Sequence, residues 1–250
     1  MKSITYLKGT LPIILTSLHN GKNIIKSKIR EGSNIIIKND LNTSIICLEI
    51  SNYISSKIKK KPYLLLNNID RKYVDLNRKL NNNIKDISRI YWDRFHNKLT
   101  EVILDCKKKF GHCIIIDVHG NNKSSDLAQI GYGCNLEQIF QKKYDKFTLK
   151  YLSDKYDAKE LIFGKRSLSF YLNLDNLPSH KYKTLNKINN RIGESSIYFN
   201  GGYLIRNYSK IYKLDAIQLE LSRNLRRENN IKDTSAKIAE AIIKFYLINY

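Results

Sequence analysis

Apolar residues along this chain form two kinds of stretch: short continuous runs, and longer stretches in which they recur at helical spacing. The short runs are rich in β-branched and large aliphatic residues, which is typical of strands buried on both faces. Four such strands are predicted, at Pro12–Ser17, Tyr63–Leu66, Cys113–Val118 and Ala216–Leu221.

Amphipathic helices are predicted between these runs. One begins near Thr43, with residues 40–43 as possible capping oxygens, and a second lies between Ile87 and Phe110, where Gly111 could end it. A third covers Ser235–Ile248. Strands that alternate with helices favour an α/β layer architecture with a mainly parallel or mixed sheet.

The length of the chain is compatible with one large core. With 250 residues and 29.2 kDa, we expect a single domain over residues 1–250. No apolar run approaches the roughly 20 residues that span a bilayer, and the start lacks a small-residue cleavage site. The four cysteines show no C-x-x-C spacing. These features predict a soluble, cytoplasmic protein with reduced thiols and no membrane partner.

The net charge of +21 favours contact with polyanions. Two interpretations stay open. The charge could reflect compositional drift, because lysines mixed with Asn and Ile along the whole chain are typical of AT-rich coding sequence. Alternatively, it could form a functional basic patch that binds nucleic acid. Because no RNP, zinc-finger or GXXG signature is present, we expect weak, non-specific polyanion binding at most.

The candidate functional residues follow the ends of the apolar runs, since ligand sites in open α/β sheets lie at the carboxyl ends of strands. Four places qualify: His19, the segment 70–78, the Asp117–His119 pair, and Glu220. Histidine and carboxylate are ordinary zinc ligands, and a catalytic zinc uses three protein ligands. Each histidine could equally be structural, and the flanking leucines of Glu220 favour the solvated face of an edge strand.

Several short motifs together resemble the N-formylglutamate amidohydrolase family, whose fold is similar to that of the zinc carboxypeptidases. VDLNR (residues 74–78) and IDVHG (residues 116–120) are the most specific. The others, in chain order, are LHNGKNI, DLNTSIICL, YWDRFHNKL, QIGYG, FNGGYLIR, IQLEL and the Phe245–Tyr246 region. The resemblance implies a three-layer α/β/α, phosphorylase/hydrolase-like fold with a central mixed sheet.

The resemblance also implies residue roles. His19 and His119 match the metal-ligand histidines, and Glu220 matches the glutamate that activates water. Asn77 and Arg78 match a pair that holds the substrate carboxylate. Arg71 matches an arginine that polarises the scissile carbonyl or binds a second carboxylate.

The chain departs from the carboxypeptidase pattern at the carboxylate ligand of the metal. The H-x-x-E pattern of the carboxypeptidases would place an acid at position 22, where this chain has Lys22. The acid must therefore come from elsewhere. The resemblance implies Asp40, in the segment that matches the family's D-x-x-T pattern, as the third metal ligand, with Glu31 as the alternative.

The implied reaction is hydrolysis of a non-peptide linear amide, such as that of an N-formyl or other N-acyl amino acid with a free carboxylate. One zinc ion is expected, held by His19, Asp40 and His119. Further contributions are expected from Asp117 and His96 as supporting groups and from Arg206, beyond a tight Gly201–Gly202–Tyr203 turn, as a substrate contact. A metallopeptidase, a cell-wall amidase with the same chemistry and a non-catalytic nucleic-acid-binding protein are the alternatives.

Overall fold

A mixed six-stranded sheet forms the centre of the protein. The computed structural model describes residues 2–33, 35–80, 87–122, 127–175, 177 and 200–250. The strands are β1 (Ile4–Leu7), β2 (Ile13–Ser17), β3 (Tyr63–Asn67), β4 (Ile114–Gly120), β5 (Ala128–Gly131) and β6 (Asp215–Leu221). Their order in the sheet is β1-β3-β2-β4-β6-β5. The four central strands are parallel, and β1 and β5 pair antiparallel at the two edges.

Helices connect and cover the strands. They are α1 (Thr43–Ile58), α2 (Ile87–Phe110), α3 (Leu136–Phe140), α4 (Lys150–Ser153), α5 (Ala158–Phe163), α6 (Leu168–Leu174), α7 (Tyr203–Tyr212) and α8 (Ile231–Asn249), with 3-10 turns at Asn224–Arg226 and Glu228–Asn230. Among the described residues, no helix has both the length and the apolar character needed to cross a membrane.

Two apolar cores lie on opposite faces of the sheet. On one face, alternate strand residues such as Leu15 and Ile116 pack with α1, α5, α6 and α8. On the other face, Ile14 and Ile115 pack with α2 and α7. Successive strand residues point to opposite faces, so strands covered on both sides must be apolar throughout. The arrangement confirms the predicted three-layer α/β/α fold. The single-domain organisation over residues 1–250 stays a prediction.

The strand and helix predictions agree with the structure where the apolar pattern is long. β2, β3, β4 and β6 lie within a few residues of the predicted runs, as do α1, α2 and α8. Gly111 follows α2 with φ +76° and donates its N–H to Lys107 O, as expected for a glycine that ends a helix.

The expected side-chain cap of α1 is wrong. Asn42 occupies the N-cap position in the left-handed conformation with φ 68°, and no side chain caps the helix. The Thr43 hydroxyl instead donates to the backbone oxygen of Asp40 at 2.8 Å, and Asp40 N donates to His19 O at 2.8 Å. These bonds use the backbone atoms of Asp40, so its carboxylate can contact His19 and His119.

The apolar pattern did not locate β1, β5, the helices α3 to α7 or the two 3-10 turns. Pro178 predicts a loop, but this position lies outside the described residues. Gly201 and Gly202 lead directly into α7, with Gly202 at the N-cap position. All four cysteines are buried thiols that form no disulfide.

Candidate metal centre and active site

The candidate site lies at the carboxyl ends of the parallel strands. His19 follows β2 by two residues, while His119 lies near the end of β4 and Glu220 near the end of β6. His119 and Glu220 are direct cross-strand neighbours in the β4–β6 pair. The parallel topology thus brings three of the predicted residues together, as this edge of an open α/β sheet commonly does.

His19, Asp40 and His119 form a compact cluster of possible metal ligands. The Nδ1 atoms of both histidines lie 3.3 Å from Oδ2 of Asp40. One ligand atom from each of the three buried residues lies within 4.8 Å of the others. Two imidazoles and a carboxylate are a common ligand set for catalytic zinc, so the donor set fits the metal. Glu31 is exposed and is not a member of this cluster.

A second carboxylate holds each imidazole from its other side. His19 Nε2 lies 2.8 Å from Asp75 Oδ1, and His119 Nε2 lies 2.7 Å from Asp117 Oδ2. Asp117 is held in turn by the Thr16 hydroxyl at 2.6 Å. Without a metal, Nδ1 of each ring can donate to Asp40. Once Nδ1 is deprotonated, a ring that donates from Nε2 to its own carboxylate would present the Nδ1 lone pair to a metal.

The charges of the cluster favour an ionised Asp40. Burial opposes ionisation, but hydrogen bonds with His119 and His19 outweigh it and hold the pKa of Asp40 well below its usual range. Its Oδ2 also accepts the backbone N–H of Gly120 at 3.2 Å. For His119, burial lowers the pKa, whereas Asp117 and Asp40 raise it and prevail. A deprotonated carboxylate is the form that binds a metal.

Arg71 lies against the ligand cluster. Its Nη1 donates to Asp40 Oδ1 at 3.1 Å and to Lys38 O at 3.3 Å, and its Nη2 lies 3.5 Å from Asp75 Oδ2. The buried Nε has no hydrogen-bond partner among the described residues. Arg71 therefore holds the two carboxylates that contact His19, and the carbonyl-polarising role predicted for it stays a prediction.

Glu220 is buried in the cleft, with only 5% of its surface exposed. The expectation of a solvated edge strand is wrong, because β6 lies between β4 and β5. Gln218 donates to Oε1 at 3.1 Å, while Oε2 is buried without a hydrogen-bond partner among the described residues. Burial raises the pKa of Glu220 to about 7. A carboxylate with a free oxygen and this pKa is suited to general base and general acid chemistry.

The ligand cluster opens into a cleft of about 910 Å³. Asn77 and Arg78 line it on one side, and Arg206 lines it from α7. Asn77 Oδ1 accepts the Leu204 N–H at 2.9 Å, which turns its amide nitrogen toward His119 at 3.4 Å. The Arg78 side chain is 61% exposed and lies 3.8 Å from Asp75. Arg206 Nε donates to Gly201 O at 3.0 Å.

The cleft wall is rich in cations. In addition to Arg78 and Arg206, it includes Lys38, Lys79 and Lys210. Such a wall attracts anionic ligands.

His96 does not line the cleft itself. It is buried in α2, where Nε2 lies 3.1 Å from Leu76 O and Nδ1 lies 2.9 Å from the Tyr208 hydroxyl. Burial lowers the pKa of His96 to about 4, so the ring is neutral near pH 7. Its contact with Leu76 supports the backbone between Asp75 and Asn77, and the supporting role expected for His96 stays a prediction.

Two residues of the site were missed by sequence reasoning. Asp75 was included only as part of the segment 70–78, although its position within VDLNR was a usable signal. Gln218 lies two residues before Glu220 on the same strand, so the period of a strand could have indicated it.

The fold is similar to that of solved structures, although no protein-family model and no curated protein matches the sequence. N-formylglutamate amidohydrolase from Ralstonia eutropha superposes with a TM-score of 0.62 and 13% identity, over 99% of this chain and 99% of that chain. A gene product of Agrobacterium tumefaciens gives a TM-score of 0.58 and 11% identity, over 99% of this chain and 93% of that chain. At these identities, the likeness establishes the fold.

Proposed function

We propose that this chain is a zinc-dependent member of the N-formylglutamate amidohydrolase family that cleaves the amide bond of an N-acyl amino acid. One observation carries the proposal. Two histidines direct Nδ1 toward a shared carboxylate and Nε2 toward separate ones, beside a buried glutamate with an unpartnered oxygen. The fold likeness to the Ralstonia enzyme supports the choice of reaction.

His19, Asp40 and His119 would hold the zinc ion. Zinc at such a site polarises a carbonyl group and makes a water molecule easier to deprotonate near pH 7. Asp75 and Asp117 would accept the Nε2–H of the two imidazoles when Nδ1 binds the metal, and Arg71 holds Asp40 and Asp75 in place. These contacts preorganise the ligand set before a metal binds.

Glu220 would serve as the proton carrier. Its unpartnered Oε2 accepts a proton from the attacking water, and the oxygen of that water forms a bond to the amide carbon. The same carboxyl group then returns the proton to the amine nitrogen as the carbon–nitrogen bond breaks. The products are a carboxylic acid and a free amine, and the Gln218 amide holds Oε1 throughout.

Asn77 and Arg78 would bind the carboxylate of the substrate. The amide nitrogen of Asn77 and the exposed guanidinium of Arg78 present donors to the cleft, and an arginine fork matches a carboxylate. Arg206 is proposed as a further contact with an acidic substrate. Such contacts orient the amide toward Glu220 rather than taking part in bond making.

The direct test compares hydrolysis of N-formylglutamate with hydrolysis of its α-methyl ester, using protein stripped with a chelator and then reloaded with zinc. We expect activity only after reloading and a strong preference for the free α-carboxylate. The Glu220→Gln variant is the matched control for contaminating hydrolases. Activity equal to that of this variant would contradict the proposal, and turnover of a muropeptide or peptide instead would favour the amidase or peptidase alternative.

A further inference from the structure

Arg226 is a buried arginine outside the proposed ligand and substrate contacts. It lies in the 3-10 turn after β6, and its guanidinium donates to three backbone carbonyls. Nε donates to Leu221 O at 3.1 Å, Nη1 to Leu41 O at 2.6 Å and Nη2 to Asn121 O at 2.8 Å. All three nitrogens of one side chain are thus committed to backbone oxygens from three parts of the chain.

Each of these carbonyls belongs to a residue that is one or two positions after a residue of the site in the sequence. Leu41 follows Asp40, Leu221 follows Glu220, and Asn121 is two residues beyond His119. The segments are distant in sequence, since Arg226 and Leu41 are 185 positions apart. One rigid guanidinium group therefore connects the backbone segments that carry Asp40, His119 and Glu220.

Gly120 leaves room for this fork. A Cβ at position 120 would lie 2.4 Å from the Arg226 Cζ, which is far inside van der Waals contact. The N–H of the same glycine donates to Asp40 Oδ2 at 3.2 Å. The backbone at Gly120 thus contacts the guanidinium on one side and the metal-binding carboxylate on the other.

The charge of Arg226 also faces the site. Burial lowers the pKa of Arg226, while the nearby carboxylates of Asp40 and Glu220 oppose that lowering. The bond from Asn42 Nδ2 to the Arg226 backbone oxygen, at 2.9 Å, fixes the turn itself to the start of α1.

We propose that Arg226 is a positioning residue that sets the relative placement of Asp40, His119 and Glu220 by holding three backbone carbonyls. It touches neither the proposed ligand atoms nor the substrate positions, so it acts through the backbone. The inference rests on the proposed metal site and extends it to a residue that none of the sequence motifs singled out.

The test measures zinc affinity by competition with a chromophoric chelator, which needs no substrate. Arg226→Lys keeps the charge but not the fork, and Arg226→Gln removes both. Arg227→Gln is the matched control, because Arg227 is the adjacent, exposed arginine. We expect both Arg226 variants to bind zinc about 10- to 100-fold more weakly, as changes behind metal ligands commonly do, and the Arg227 variant to bind as the wild type does.

A cobalt-substituted form adds a spectroscopic readout. We expect the visible absorption of bound cobalt to change in both Arg226 variants and to stay unchanged in Arg227→Gln. Wild-type zinc affinity and an unchanged cobalt spectrum in Arg226→Lys would overturn the inference, because charge alone would then suffice. A wild-type chain that binds no zinc would overturn the proposed function, and this inference with it.

Gly120→Ala provides a second route if the Arg226 variants do not fold. The added methyl group displaces the guanidinium without removing it, so we expect a similar loss of zinc affinity. Where all variants fold, the Gly120→Ala/Arg226→Gln double variant should lose little more affinity than either single variant, since both disrupt one contact. Fully additive losses, or wild-type affinity in Gly120→Ala, would overturn the inference.

Discussion

Two buried carboxyl groups on one strand illustrate the difference between a structural acid and a candidate catalytic one. Asp215 begins β6 and Glu220 lies near its end, and burial raises the pKa of both, to about 6 and about 7. Asp215 accepts hydrogen bonds on both oxygens: from the Tyr250 hydroxyl at 2.5 Å and from the backbone N–H groups of Tyr151 and Leu152 at 2.9 and 3.3 Å.

Glu220 differs in what its oxygens contact. Gln218 holds one oxygen, and the other is buried beside the ligand cluster without a hydrogen-bond partner among the described residues. Burial and a raised pKa therefore do not separate the two acids. The difference is that Glu220, at the carboxyl end of the parallel strands, has an oxygen without a hydrogen-bond partner among the described residues. That oxygen is available to a water molecule.

The largest effect is expected from Glu220→Gln. This nearly isosteric change removes the proton acceptor, so we expect kcat to fall by about 10²- to 10⁴-fold, the usual contribution of a positioned general base. Zinc content should be unchanged, because Glu220 is not one of the proposed ligands. Asp215→Asn is the matched control at the other end of the strand, and activity within about twofold of the wild type is expected from it. Equal losses in both variants would remove the distinction.

Asp215→Ala is expected to act on stability instead. It leaves the Tyr250 hydroxyl and two backbone N–H groups without their acceptor, which costs about 1–3 kcal/mol for each buried group left unsatisfied. Urea unfolding should show the lower free energy of unfolding, with kcat retained at a temperature where the variant is folded. Asp145→Ala, at an exposed position, should stay within about 0.5 kcal/mol of the wild type. A stable but inactive Asp215→Ala variant would contradict the structural role.

The contribution of Asp215 to the free energy of unfolding should depend on pH. The folded pKa of Asp215, about 6, lies above its ordinary value of 3.8, so the folded chain binds more protons than the unfolded chain between these values. Its contribution to the free energy of unfolding is therefore most favourable at low pH and declines as pH rises through about 6, by at most about 1.4 kcal/mol per pH unit. The difference in unfolding free energy between wild type and Asp215→Asn should decline over this interval. A difference independent of pH would show that Asp215 titrates normally.

The smallest effect is expected from Gln218→Met. It removes the hydrogen bond to Glu220 Oε1 while keeping the volume of the side chain. A net contribution of about 0.5–1.5 kcal/mol corresponds to a decrease in kcat of roughly 2- to 10-fold. Because Glu220 then loses an orienting partner, kcat should change more than KM. An unchanged kcat would show that packing alone orients Glu220.

The sequence predicted those parts of the fold whose apolar pattern is long or continuous. β2, β4 and β6 are runs covered on both faces, and α1, α2 and α8 have many helical turns. β1 and β5 span only four residues each, too few to establish a period. Because β5 was not predicted, β6 could not be recognised as an interior strand, and Glu220 was placed on a solvated edge.

The site was predictable where local pattern and resemblance coincided. His19 and His119 follow apolar runs, so their position at one edge of the sheet could be inferred. Asp40 lies in an irregular segment and was named only through the family resemblance. Asp75 contacts a histidine 56 positions away, and Arg226 reaches carbonyls up to 185 positions away. Such contacts depend on the tertiary fold: the VDLNR motif marked Asp75 without its partner, and no local pattern marked Arg226.

We infer that His19, Asp40 and His119 bind a metal ion. The most direct measurement is the metal content of protein purified without chelator, determined by mass spectrometry for the wild type and for His119→Ala. We predict about one zinc per chain in the wild type, as for a single three-ligand catalytic site, and a loss of that zinc in the folded variant. A folded wild-type chain that neither contains zinc nor takes it up on addition would contradict the account.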